Sequence, residues 1–171
     1  ETVNISTAAL EKMLAKHPEI RVISPVHFSG LPCDMVAIKK MADAAGAVVV
    51  EDAAHALGSR YADGSAVGNC KHSLMTVFSF HPVKSITTGE GGMITTNDEE
   101  IYRKLLRLRS HGINKETDTY LLPKNAQTNG VPNPWYYEMQ RLGYHYRLTE
   151  IQAVLGISQM KKLKKFIANR Q

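Results

Sequence analysis

The sequence predicts an α/β protein built on a mostly parallel sheet. Three observations carry that prediction: a strand, helix and strand in direct succession from Arg21 to Val50, two further apolar strands beyond them, and short connections throughout. Ser6 to Ala15 has helical periodicity behind a hydroxyl cap, and Arg21 to Val26 is a short buried strand. Gly30-Leu31-Pro32-Cys33 makes a loop. Asp34 then caps a helix with apolar positions at Met35, Val36, Ile38, Met41 and Ala42, closed by Gly46. The β-branched run Val48-Val49-Val50 follows at once. Met75 to Phe80 and Gly92 to Thr96 extend the sheet, joined through the turn Gly89-Glu90-Gly91-Gly92.

Asn97 or Asp98 caps a helix over Glu99 to Arg109. Ser110 to Pro134 is polar and aperiodic, a long loop of the size that is functional or mobile. The last helix is predicted from Thr149 to Ile167, with Ile151, Val154, Leu155, Ile157 and Leu163 as its buried stripe.

At 171 residues the chain has the length of one domain. It opens on Glu1 without a charged and apolar leader, and reads as a piece of a longer protein. Charged residues break every apolar run before the roughly 20 residues of a membrane span, so no membrane partner is expected. Cys33 and Cys70 have no metal or redox spacing, and so sparse a pair points to a reducing compartment, the cytoplasm. The net charge of +5 gathers at Lys161, Lys162, Lys164, Lys165 and Arg170; it is read as a solvated helix face, not a nucleic-acid surface. His27, His72, His81 and His111 lack paired ligand spacing and are read as loop or rim residues; no metal is assigned.

In open α/β sheets ligands lie at the carboxyl ends of the strands. Asp52 and His55 follow one apolar run; Ser79 and Lys84 follow another. A lysine there is ordinarily a surface amine, His55 a histidine at a helix start, and Ser79 a strand-end hydroxyl. Together they suit a different task. A desolvated lysine condenses with an aldehyde, and an aspartate keeps a pyridinium nitrogen protonated. Ser79 can donate to a phosphate, and Gly89, Gly91 and Gly92 let backbone pass close to a bulky ligand.

These residues carry a resemblance. Val50 to Gly58, Phe78 to Gly92, Arg109-Ser110-His111-Gly112 and Gly143 to Ala153 resemble, in the same order, the DegT/DnrJ/EryC1/StrS sugar aminotransferases, which are fold type I enzymes dependent on pyridoxal 5'-phosphate (PLP). Phe80 to Thr88 and Pro134 to Gln140 are most similar to the branch of pseudaminic acid synthesis, which aminates C4 of a UDP-linked 4-keto-6-deoxy-N-acetyl hexosamine. The resemblance implies the three-layer, mostly parallel large domain of the aspartate aminotransferase-like transferases. Residues 1–171 would form an incomplete part of it, with the upstream phosphate cradle and the C-terminal small domain outside the chain. It implies Lys84 as the catalytic lysine that forms the internal aldimine and carries protons. Asp52 would bind the pyridinium nitrogen, His55 would lie by the ring near O3′, and Ser79 would bind the phosphate. His145 stands where the family has Asn in a block reaching the phosphate of the neighbouring subunit, and imidazole can donate there too.

The activity so implied is transfer of an amino group from an amino acid, glutamate, to a nucleotide-linked keto sugar, in a homodimer with shared active sites. This piece alone is expected to be inactive, since the cradle is missing. A PLP-dependent sugar dehydratase ranks behind, because that branch lacks the lysine. A non-catalytic binding or regulatory domain that kept the fold is the alternative from another class. Trp135, Tyr136 and Tyr137 can wall a sugar or uracil, or simply anchor their loop.

Overall fold

The computed structural model describes residues 2–115 and 119–170. It divides into two compact units, residues 1–98 with 148–171 and residues 99–147. In the first, α1 (Thr7–Lys16) starts at Ser6, whose hydroxyl accepts the N–H of Ala9. α2 (Met35–Ala45) starts at Asp34, which accepts from Ala37, and stops at Gly46 in the left-handed conformation (φ 64°) that a residue with a Cβ enters at a cost. Both caps are where the sequence puts them.

Between and beyond these helices run β1 (Val22–Ile23), β2 (Val48–Asp52), β3 (Met75–Ser79) and β4 (Gly92–Thr95), in the spatial order β1-β2-β3-β4. The first three are parallel; β4 returns antiparallel to β3, so the sheet is mostly parallel, as expected. The first strand is shorter than its apolar run, although Val26 adds a single parallel bridge to Asp52.

Alternation along the strands sorts the site. Val49, Glu51, Thr76 and Phe78 lie on the buried face, over the core formed by Leu10, Ile23, Met35, Ile38 and Ala42. The register pairs Asp52 with Val77, which puts Asp52 and Ser79 together on the opposite, half-buried face. Gly92 has a reason internal to the sheet: a Cβ there would meet the Phe78 carbonyl oxygen at 2.6 Å.

The last helix departs from expectation. It is broken into α4 (Glu150–Met160) and α5 (Leu163–Ala168), and of the predicted stripe only Leu163 packs on the core. Ile151 is 84 % and Val154 65 % exposed, and Leu155 and Ile157 are exposed too. Helical period marks an apolar face but not what covers it. α4 begins with a full capping box, Thr149 with Gln152, so its start is encoded locally.

In the second unit α3 (Glu99–Arg109) matches its predicted span. The segment expected as an aperiodic loop contains the hairpin β6 (Gln127–Thr128) with β7 (Val131–Pro132), and its β5 (Ile113–Asn114) pairs with β8 (Glu138–Met139) beyond its end. Glu138 organises it. Its carboxylate accepts the N–H groups of Leu121 (2.6 Å) and Leu122 (2.8 Å), the Tyr136 hydroxyl (3.0 Å) and the Gln140 amide (2.8 Å). Burial pushes its pKa up, but these donors outweigh burial and bring it down to about 2.

No helix among the described residues is long and apolar enough to cross a membrane. The contrast between the faces of α2 gives a test. Ile38→Ala, at a fully buried position, is expected to cost about 2–5 kcal/mol in urea unfolding. Val36→Ala, on the exposed side, should stay within about 0.5 kcal/mol; equal losses would contradict the assigned faces.

Candidate active site

Asp52 ends β2, where Ala53 N–H already pairs with Val77 and the chain turns. Its Oδ1 accepts the Ala54 N–H at 3.0 Å, which fixes the carboxylate in place. Oδ2 has no hydrogen-bond partner among the described residues. Ser79, at the end of the adjacent strand, accepts the His81 N–H through Oγ (3.3 Å) and keeps its own hydrogen to donate.

Lys84 sits on a loop pinned to the sheet. Phe80 N–H donates to Gly91, Thr88 N–H and the Thr87 hydroxyl donate to Phe80, and Lys84 N–H closes a turn on His81 (3.0 Å). Buried Ile86 anchors the loop, and Arg170 donates to the Lys84 carbonyl at 3.2 Å. The Lys84 ammonium makes no hydrogen bond or ion pair among the described residues. It borders a cavity of about 200 Å³ shared with Thr87, Gln159, Phe166 and Arg170.

His55 is exposed just past Asp52. Its Nδ1 accepts the Ser29 N–H at 3.3 Å, and its ring lies edge-on to Phe28 with centroids 5.7 Å apart. Asp52, His55, Ser79 and Lys84 thus all belong to the first unit. His145 belongs to the second, where it bridges to Ser110 and packs its ring edge-on to His111 at 5.4 Å. That unit has a concavity of about 580 Å³ lined by Arg103, Arg107, His111, Lys115, Tyr137 and Arg147. Trp135 and Tyr137 are exposed, whereas Tyr136 anchors the loop through Glu138 and an edge contact with Tyr120.

One expectation needs correcting. His27 is not a rim residue; it is fully buried against Glu51, which is also fully buried. The Glu51 carboxylate accepts from His27 Nε2 (2.8 Å), from the Thr76 hydroxyl (3.0 Å) and, more tightly, from the hydroxyls of Tyr61 and Ser73. Burial disfavours a charged His27 imidazole, while the Cys33 thiol and Glu51 favour one. Geometry decides the protonation. Nδ1 already accepts the Cys33 N–H at 3.1 Å, so the single ring proton sits on Nε2 and is shared with Glu51.

Desolvation raises the pKa of Glu51, but its four donors prevail and hold it below 4.5. The same contact, added to burial, pushes the Tyr61 hydroxyl up. The network grips the site from behind, because His27 N–H also donates to the Asp52 carbonyl (3.0 Å). A sequence signal existed: Glu51 follows Val49 at strand period, which points a carboxylate into the core and requires partners there.

The mostly parallel sheet carries Asp52 and Ser79 at the ends of adjacent strands and Lys84 on the loop that follows, in an α/β chain of the aminotransferase fold. Residues 1–171 match the DegT/DnrJ/EryC1/StrS aminotransferase family, and the chain belongs to it. It is 43 % identical over 162 residues to the uncharacterized protein MJ1066 of Methanocaldococcus jannaschii, covering 95 % of this chain and 39 % of that protein. It is 39 % identical over 162 residues to the spore coat polysaccharide biosynthesis protein SpsC of Bacillus subtilis, covering 95 % of this chain and 38 % of SpsC. The structure of Helicobacter pylori PseC, an aminotransferase involved in the biosynthesis of pseudoaminic acid, superposes with a TM-score of 0.79 at 34 % identity, covering 94 % of this chain and 38 % of PseC. The chain therefore spans about two fifths of the length of these relatives.

The buried carboxylate makes a stability prediction. Its native pKa is below the ordinary value, so its contribution is complete above pH 4.5 and is lost as pH falls through the lower native value. Glu51→Gln should cost about 1–3 kcal/mol at neutral pH, by leaving donors unpaired. It should also flatten the loss of stability in acid. An acid limb like that of the unaltered chain, followed by urea titration, would argue against the assignment.

Proposed function

We propose that the whole protein is a PLP-dependent aminotransferase that moves an amino group from an amino acid, glutamate, to a nucleotide-linked keto sugar. The observation that carries the reading is the pair of groups left without partners among the described residues: the second oxygen of Asp52 and the amine of Lys84. A buried or half-buried charge without a partner is costly, and a ligand with a ring N–H and an aldehyde would satisfy both. The donor set therefore fits PLP. When bound, PLP supplies an electron sink that takes up the amino group from one substrate and yields it to the other.

The chain's own groups then have distinct tasks. Asp52, held through Oδ1, offers Oδ2 to the ring nitrogen and keeps it protonated. Lys84 offers its amine for the covalent link and, when released, moves a proton at the substrate carbon. Ser79 donates its hydroxyl to a phosphate oxygen, and His55 lies against the ring. His145, from the second unit, donates to the phosphate of a neighbouring subunit in a homodimer. The exposed apolar side chains Ile151, Val154 and Ile157 of α4 support such an assembly, since apolar patches of this kind mark interfaces.

The substrate class rests on the family and on what the relatives' names say of them, sugar and polysaccharide biosynthesis. A 4-keto-6-deoxy-N-acetyl hexosamine of the pseudaminic acid route is our specific proposal. Two free, buried cysteines fit a reducing cytoplasm.

The test uses the full-length protein. Added PLP should give a visible absorption band that borohydride removes and that Lys84→Ala does not form. Amino transfer to the keto sugar should fall by at least about 10²–10⁴-fold in Lys84→Ala, the range of a lost proton-transfer group. A full-length protein that forms no such band contradicts the reading.

A further inference from the structure

The turn Phe28–Gly30 is expensive and heavily secured, and its product is one hydrogen bond to His55. Ser29 adopts φ 52°, ψ 21°, the left-handed region that residues with a Cβ avoid. The turn is held from several sides. Asn4 accepts the Phe28 N–H (3.0 Å) and donates to the Leu31 carbonyl (2.9 Å), so one side chain clamps both ends. The Ser59 hydroxyl donates to the Gly30 carbonyl (2.7 Å), and Gly30 N–H donates to His27, itself bolted to Glu51. Strain persists only where the surroundings over-determine it, and it concentrates at functional places.

We propose that this turn is a positioning device that sets the tautomer of His55. A backbone N–H can only donate, so Nδ1 of His55 must present its lone pair to Ser29, and the proton of the neutral ring must reside on Nε2. Nε2 has no partner among the described residues, and the ring is exposed, three positions beyond Asp52. Phe28, from the same turn, restrains the ring by its edge contact. The result is a fixed N–H donor for an anionic oxygen, a phenolate or a carboxylate, of the ligand that Asp52 holds. Ser29 acts through His55, not on the ligand. The ligand's identity rests on the PLP reading above; the tautomer does not.

The experiment has an arm for each. In the full-length protein without PLP, ¹⁵N-labelled histidine should show His55 as a single Nε2–H tautomer, with coupling across the hydrogen bond between the Ser29 amide and Nδ1. Ser29→Gly keeps the N–H and relieves the strain, and should preserve both signals. Asn4→Ala releases the clamp and should lose the coupling and admit exchange between tautomers. An Nδ1–H tautomer, or signals indifferent to Asn4→Ala, overturns the proposal. With PLP added, His55→Phe keeps an aromatic ring without a donor and should move the pH midpoint of the visible band by about one to two units, the size of one hydrogen bond to a charged group. His55→Gln, which can still donate, should largely restore it. An unmoved midpoint in His55→Phe overturns the donor role. Failure to form the band at all would instead sink the PLP reading and leave the tautomer measurement standing.

Discussion

A carboxylate with no exposure to water has to be solvated by the protein, and Glu51 is solvated by four neutral donors from four places in the chain: His27, Tyr61, Ser73 and Thr76. Stripping water from an isolated ion costs several kcal/mol, so losing any one donor leaves the others holding an underpaid charge. The constraint fixes more than itself. It ties the segment after β1 to β2, and through the His27 backbone to the carbonyl of Asp52, so the site's carboxylate leaves the strand at a defined place.

The two faces of β2 divide the labour. Glu51 points into the core and is satisfied completely; Asp52, the next residue, points to the other face and is satisfied by half. Period-two alternation produces that division from adjacent acids of similar chemistry. The neighbouring strand repeats it, with Thr76 serving the buried network and Ser79 placed on the side of Asp52. The buried network and the candidate site thus draw their residues from opposite faces of one pair of strands. The second unit uses the same device on a smaller scale, since Glu138 replaces regular structure with four directed hydrogen bonds and shapes a segment too polar to build a core.

The legible parts were those governed by neighbours in sequence. Ser6, Asp34, Gly46 and Thr149 mark helix ends where they are observed, because capping is a contact across three or four residues. The apolar runs gave β2, β3 and β4 within a residue or two, and the strand-end rule selected Asp52, His55, Ser79 and Lys84. The misses share a cause: the stripe of α4 and the role of His27 both depend on what lies opposite, and periodicity contains no information about that. The extended loop hid its pairings because two-residue strands carry no period.

By itself, then, the sequence determined the fold class, the helix caps, the family resemblance and the candidate groups, since each rests on local spacing or on residue types in order. Tertiary structure alone decided the direction of the sheet's last strand, the burial of His27 with Glu51, and the contact of Ser29 with His55. The physical reason is distance along the chain. Hydrogen bonds between residues distant in the chain form only after the strands have brought them together, and no local rule predicts which donor will face which acceptor.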